Sequence, residues 1–340
     1  MTLATGVWYA ALVAASTALV WKGSGLLDEA SGRLAHHYGL PPIVRGAVVA
    51  AVGSSMPELS STVLATLIHG EFDLGVGAVV GSAVFNVLVI PAASALSRRG
   101  RLDTSRELVY KEAQFYMLSV SVLLLTFAFA VIYRPAADGR LVGTMTRPLA
   151  LVPLGLYALY VFIQYQDLSD YDGDTSDGVD VRRRWLELLG GLVLIVVAVE
   201  GLVRAAIGFG DLLDTPSFVW GLVVVAAGTS LPDLFVSLRA ATESDGGVTS
   251  VANVLGSNTF DLLVAVPAGV LVAGTTTVDF AAAVPMMACL TVATLVLFTL
   301  LRTELSITHR EAGLLLGAYA AFVGWVVLET VGVTGVLPVA

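Results

Sequence analysis

"AAVGSSMPELSST", residues 50–62, sets a proline and a glutamate inside a stretch otherwise apolar enough to cross a bilayer. Shifted by 175 positions, it meets "VAAGTSLPDLFVS", residues 225–237. Gly53, Ser55, Pro57 and Leu59 then coincide with Gly228, Ser230, Pro232 and Leu234, and Glu58 falls on Asp233. The same ungapped shift lays "GAVVGSAVFNVLV" (77–89) over "ANVLGSNTFDLLV" (252–264), so that Gly81, Ser82 and Phe85 meet Gly256, Ser257 and Phe260, and Asn86 falls on Asp261. Chance likeness between apolar stretches matches Val with Leu; it does not hold Gly, Ser, Pro and acids in one register.

The rest of the chain supplies the setting. Of 340 residues 56% are hydrophobic and 13% charged, and the mean hydropathy is +0.85, the profile of a polytopic membrane protein and not of a soluble domain. Stretches long enough to span the hydrocarbon core as helix lie near 5–21, 42–68, 74–97, 110–133, 148–166, 185–207, 217–240, 248–273, 279–301 and 312–332. The first has no basic leader or small-residue cleavage site, so it reads as a retained helix. The single cysteine, Cys289, excludes an intramolecular disulfide.

Ten spans in two similar halves put five in each, an odd number, so the second half enters the membrane with opposite sense. The expected fold is an all-α integral membrane protein of ten transmembrane helices, two inverted five-helix repeats with broken helices at the midplane. Residues 1–167 form the first repeat and 185–340 the second, with an acidic linker at 168–184 containing "DGDTSDGVD". Assigning each of the 18 Lys and Arg to its nearest connection gives fourteen on the side of that linker and four on the side of both termini. The positive-inside rule therefore places the linker in the cytoplasm and the termini outside.

Proline explains the interruption. Pro57 and Pro232 lack an N–H, which frees the carbonyls of Gly53 and Gly228, and such breaks persist in a membrane only where the freed oxygens face protein or a wet cavity. A carboxylate at bilayer depth costs at least ~2.5–3.5 kcal/mol on insertion scales. Glu58 and Asp233, at equivalent places, therefore call for a compensating charge. The oxygen-only surroundings, hydroxyls and amides with no His or Cys, suit a hard cation such as Ca2+ or Na+. Ser82 and Asn86 are four apart and share a helical face, as do Ser257 and Asp261, and the glycines before the two serines permit close helix approach. Taken singly, each element has a plainer reading: serines and glycines pack helices, a proline kinks one, and an asparagine hydrogen-bonds across an interface. Their coincidence under one shift favours a shared site. Glu112, Glu187, Glu200 and Glu329 have no acidic counterpart and read as interfacial or supporting, and His36, His37, His69 and His309 fall in expected loops without metal-ligand spacing.

"GSSMPEL", "VVGSAVFN", "GTSLPDL" and "GSNTFD" resemble the two alpha-repeats of the calcium/cation antiporter superfamily, specifically the sodium/calcium exchangers, over about 42–95 and 217–270. "GSAVFN", and "PDL" followed by "GSNTFD", are most similar to the potassium-dependent sodium/calcium exchangers. The resemblance implies that Glu58 and Asp233 are central Ca2+ ligands shared with Na+. It implies further that backbone oxygens of Ala51, Ser54, Ala226 and Thr229, with the hydroxyls of Ser55, Ser230, Ser82 and Ser257, complete the Ca2+ and flanking Na+ sites. Asn86 and Asp261 would form the middle, and Asn258 with Asp261 would decide any potassium dependence. Ser54 stands where the family usually has Thr or Gly, and Ala78 stands opposite Asn253, both departures at the flanking site of the first repeat.

The implied activity is secondary antiport of Na+ against Ca2+ by alternating access, Na+ in and Ca2+ out, at the plasma membrane. The first and sixth helices would slide across the core. The expectation includes no enzymatic activity, no cofactor apart from the transported ions, no nucleic acid and no obligatory protein partner. Ca2+/H+ exchange is the rival within the class, K+-dependent exchange a variant. From another class, "YD" (171–172) and "GFGD" (208–211) superficially resemble intramembrane aspartyl protease motifs. The first lies in the acidic linker and the second at the end of a span, and neither accounts for the repeat.

Overall fold

A computed structural model describes residues 2–40, 49, 51–98, 101–136, 141–166, 180–242, 246–330 and 333. Helices dominate: α1 (Thr2–His37), α2 (Ala51–Ser54), α3 (Met56–His69), α4 (Phe72–Ser97), α5 (Arg106–Tyr133), α6 (Arg147–Gln166) and α7 (Val181–Leu213) make up the first part. Next come α8 (Ser217–Trp220), a π-helical turn (Gly221–Val225), α9 (Ala226–Ala241), α10 (Gly246–Phe260), a second π turn (Asp261–Ala265), α11 (Val266–Ala273), α12 (Phe280–Glu304) and α13 (His309–Thr330). Among the described residues nine helical stretches are long and apolar enough to cross a membrane. The expected span at 42–68 is described at 49 and from α2 onward, and it is the interrupted one.

The interruption falls at Ser55. Its backbone (φ −89°, ψ 4°) leaves the helix, α3 restarts with Pro57 in its first turn, where a missing N–H costs nothing, and Leu59 N–H reaches back to Ser55 O at 3.0 Å. The second copy differs from expectation. Pro232 sits inside a continuous α9, and the π turn Gly221–Val225 ends about two turns before it, at a place where the first copy is also π-helical at Val49. A second π turn begins at Asp261 itself and ends just before Pro267 at the start of α11. Wide turns of this kind recur at functional sites, and the second contains Leu263, whose carbonyl Pro267 leaves unpaired.

Burial sorts the helices. α4 is enclosed almost throughout, from Phe72 to Ala95, and forms one core with α10, α11 and α12 around Val79, Val87, Leu255, Leu262 and Met286. On the outside, Trp8, Trp21, Leu125, Phe129, Phe162 and Val197 are exposed, an apolar rim. Gly81 is what lets α4 approach the first π turn: a methyl group there would collide with the Leu222 carbonyl.

α1 and α7 run antiparallel. Gly23 abuts Gly191 and Ile195, Ser16 abuts Gly201, and Tyr9 abuts Gly208, so rising numbers in one helix meet falling numbers in the other. Both helices exceed their expected spans, because α1 continues through "SGLLDEA" to His37 and α7 begins at Val181. The basic end of the expected linker is thus the first turn of α7. Asp180 caps it by accepting from Arg183 N, and Arg184 ties it to Glu29 at 3.1 Å and to Glu187 at 2.7 Å. The acidic stretch before it lies outside the described residues. The histidines expected in loops lie at helix ends: His36 and His37 in the last turn of α1, His69 ending α3, His309 opening α13.

Two short antiparallel pairs tie the connections together. β1 (Leu102–Asp103) pairs with β4 (Ser306–Ile307), joining the α4–α5 connection to α12–α13. β2 (Val142–Thr146) pairs with β3 (Thr275–Asp279), joining α5–α6 to α11–α12. Alternate connections therefore collect at opposite ends of the bundle. At the β2–β3 end a cavity of about 190 Å3 opens beside Glu71, Asp73, Asp279 and Glu329. Replacing Gly81 by Val should destabilise the protein by about 1–3 kcal/mol through overpacking, read as a lower thermal midpoint in detergent. Gly25→Ala, where a methyl group meets nothing within 4 Å, should not lower it.

Candidate functional site

Four helical segments bring the repeated polar residues together: α2–α3 and α4 from the first half, α9 and the α10–π segment from the second. Glu58, Asp233, Asp261, Asn86, Asn258, Ser55, Ser82, Thr229, Ser230 and Ser257 are all at most 1% exposed, and Ser54 is buried with them. Glu58 lies one residue after Pro57 in the first turn of α3, and Asp233 lies one residue after Pro232 in α9.

The contacts cross between halves and come in pairs that the 175-residue shift exchanges. Ser230 donates to Ser82 Oγ at 2.7 Å, while Ser55, the counterpart of Ser230, donates at 3.4 Å to the carbonyl of Ser257, the counterpart of Ser82. Thr229 stands against Glu58, and its counterpart Ser54 stands against Asp233. Inside the first half, Ser82 donates to Glu58 Oε1 at 3.1 Å. Asn86 donates through Nδ2 to Asp233 Oδ2 at 3.3 Å and to Asn258 Oδ1 at 3.0 Å.

After these bonds a set of acceptors remains. Glu58 Oε2, Asp233 Oδ1, Asn86 Oδ1 and both Asp261 carboxylate oxygens are buried with no hydrogen-bond partner among the described residues. No Lys, Arg or His forms an ion pair with the three acids among those residues. Nor do three His, Cys, Asp or Glu side chains converge closely enough to hold a metal by themselves. A cation here would have to draw on amide, hydroxyl and backbone oxygens as well as carboxylates. Unpaired anionic oxygens in a low-dielectric interior are costly enough that they persist where something else supplies positive charge.

Asn258 turns toward Asn86, Ala83 O (3.2 Å) and the Tyr116 hydroxyl (3.3 Å), not toward Asp261. The Ser257 hydroxyl bonds its own helix at Val254 O, so its backbone carbonyl is the group that meets the first half. Ala51 and Ala226 flank the site in α2 and at the start of α9. Of the acids without a counterpart, Glu200 pairs with His69 (3.1 Å) and Arg204 (2.6 Å), and Glu112 accepts from Tyr160 and Gln164. Two residues went unread in the sequence. Asp28 on α1 lies in the electrostatic neighbourhood of Asp233, and its signal was an acid inside an apolar helix. Tyr116 carries no sequence signal beyond a hydroxyl within a span.

Residues 8–166 and 184–328 match the family described as "Sodium/calcium exchanger protein". The chain is similar to the sodium/calcium exchanger MaX1 of Methanosarcina acetivorans, with 28% identity over 269 residues, covering 70% of this chain and 75% of that one. A solved structure of the sodium-calcium exchanger NCX_Mj superposes with a TM-score of 0.61 at 27% identity, over 94% of this chain and 98% of the other. A mouse sodium/potassium/calcium exchanger 4 is 43% identical over 127 residues, 37% of this chain and 18% of that protein. Within the site, Ser82→Ala removes the donor to Glu58 and the acceptor of Ser230 together. It should cost about 1–3 kcal/mol of stability, measured as a fall in the thermal midpoint of purified protein.

Proposed function

The chain belongs to the sodium/calcium exchanger protein family, and from that premise we propose how its buried oxygen cluster exchanges Na+ for Ca2+ across a membrane. The observation that carries the reading is the set of buried acceptors left unpartnered by both halves at once: Glu58 Oε2 and Asn86 Oδ1 from one, Asp233 Oδ1 and the Asp261 carboxylate from the other. Glu58 and Asp233 are the ligands that Ca2+ and Na+ share. Backbone oxygens of Ala51, Ser54, Ala226 and Thr229 and the hydroxyls of Ser55, Ser82 and Ser230, with the Ser257 oxygens, fill out the shells that a hard cation requires. Asn86 and Asp261 form the middle of the cluster.

Exchange follows from repulsion on a common ligand set. Two unit charges of like sign about 4 Å apart repel by ~4 kcal/mol at an effective dielectric of 20, so Ca2+ and a full complement of Na+ cannot share these carboxylates. Nor do the carboxylates tolerate emptiness. Each ion departs as the other arrives, and the site opens to one side at a time, with α1 and α7 moving together across the core. The antiparallel contact of those two helices, and the collection of alternate connections at opposite ends, support a ten-helix inverted repeat with residues 1–167 and 185–340 as its halves. Arg98, Arg101, Arg106, Arg302 and Arg310 lie near the β1–β4 end against Arg134 and Arg147 near the β2–β3 end. That charge difference favours a cytoplasmic β1–β4 end, termini outside, a place in the cell membrane, and Na+ entry coupled to Ca2+ exit.

Everted vesicles carrying the protein should take up Ca2+ when preloaded with Na+. Glu58→Gln and Asp233→Asn should each lower uptake by about 10²-fold or more, the scale of breaking a compensated buried charge. Uptake driven by a pH gradient but not by Na+ would establish Ca2+/H+ exchange instead, and the same assay with and without K+ tests potassium coupling.

A further inference from the structure

We infer that Tyr116, on α5 and outside both repeated motifs, is a positioning residue of this site: its hydroxyl, together with the Ala83 carbonyl, holds the amide of Asn258, and Asn258, together with Asp233, holds the Asn86 amide so that its carbonyl oxygen is left for the cation. The inference rests on the reading that the buried cluster binds the transported ions.

Hydrogen-bond polarity supplies the reason. The Asn86 amide nitrogen has two protons, one directed at Asn258 Oδ1 (3.0 Å) and one at Asp233 Oδ2 (3.3 Å). Its oxygen remains unpartnered among the described residues. Asn258 can accept from Asn86 only if its own amide nitrogen points the other way, and there its two protons meet the Ala83 carbonyl (3.2 Å) and the Tyr116 oxygen (3.3 Å). A carbonyl accepts and never donates. A phenol has one proton and could do either.

Thr294 on α12 removes that freedom. It lies beside the Tyr116 hydroxyl, and it gives its own proton to Leu290 O at 2.8 Å. Thr294 can therefore only accept from Tyr116, which commits the phenol proton outward and presents its oxygen to Asn258 as an acceptor. The chain Asn86, Asn258, Tyr116, Thr294, Leu290 O has one direction and spans α4, α10, α5 and α12. Tyr116, Asn258 and Asn86 are fully buried and Thr294 is 4% exposed, so water does not compete with it. With the amides reversed, Asn258 would set its oxygen against the Ala83 carbonyl and Asn86 would turn its NH2 into the place a cation needs. The device belongs to one half alone, since Thr291, the shift counterpart of Tyr116, bonds its own helix at Met287 O.

Tyr116→Phe keeps the ring and deletes the acceptor. In Na+-driven Ca2+ uptake we expect a several-fold rise in the Ca2+ concentration for half-maximal rate, with the maximal rate per folded molecule within about two-fold of the parent, an estimate from the loss of one buried hydrogen bond. Thr294→Val should act in the same direction, the double variant should be no worse than the more impaired single one, and Thr294→Ser should behave as the parent. The inference is overturned if Tyr116→Phe leaves half-saturation unchanged, if it lowers only the maximal rate along with thermal stability, or if the two substitutions multiply. A parent protein without Na+-driven Ca2+ uptake would sink the transport reading and this inference with it; a normal parent beside an unaltered Tyr116→Phe would sink the inference alone.

Discussion

Every feature of this protein answers to one electrostatic demand: carboxylates enclosed in an apolar bundle must meet positive charge, and among the described residues no basic side chain pairs with Glu58, Asp233 or Asp261. Basic residues pair elsewhere, as Arg184 does with Glu29 and Glu187 near the end of the bundle. An ion pair inside the cluster would satisfy the acids permanently and leave nothing for a mobile cation to do. Small hydroxyls and amides satisfy one oxygen of each acid at most. Ser82 takes Glu58 Oε1 and Asn86 takes Asp233 Oδ2, and the second oxygen of each stays unpartnered. A half-satisfied carboxylate is a poor core residue and a good ligand.

Duplication is an economical way to build such a place. One polar helix in lipid can pair its own groups only locally, as the Thr and Ser hydroxyls bonded to carbonyls of the preceding turn do here. Two copies related by a two-fold exchange can each present their unpaired groups to the other: Ser230 to Ser82 and Ser55 to Ser257 O, Thr229 to Glu58 and Ser54 to Asp233. Close approach is the precondition, and it is why glycine at position 81 matters more than any apolar side chain nearby. The same exchange explains the two β pairs, each stitching connections of one half to those of the other at its own end.

Much of this was legible in the sequence because the decisive residues are improbable where they stand. Proline, acid and serine inside apolar spans, repeated in one register, mark Glu58, Asp233, Ser82 and Asn86 without a structure. What the sequence did not show has physical causes. Repeat logic implied equal breaks, but α3 restarts after an interruption at Ser55 whereas Pro232 lies inside a continuous α9, and the second half carries π turns before Ala226 and at Asp261. Hydropathy ends a span at its first polar residues, whereas α1 and α7 run on because each packs on the other beyond the apolar stretch. The resemblance groups Asn258 with Asp261, and what it does not show is that the Asn258 amide bonds Asn86, the Ala83 carbonyl and Tyr116. Tyr116 could not be read at all: it stands outside the motifs, and its link to them is a single hydrogen bond accepted from Asn258.

That last case says something about precision in an oxygen cage. Ligand identity sets which ion can bind, but an asparagine offers either an acceptor or a donor at nearly the same shape, and a cation distinguishes them by the sign of a whole interaction. The choice is settled where the amides meet groups that can only accept, the Asp233 carboxylate beside Asn86 and the Ala83 carbonyl beside Asn258. A helix without a repeated motif thereby takes part in the arrangement, since α5, apolar along most of its length, brings the Tyr116 hydroxyl to the Asn258 amide.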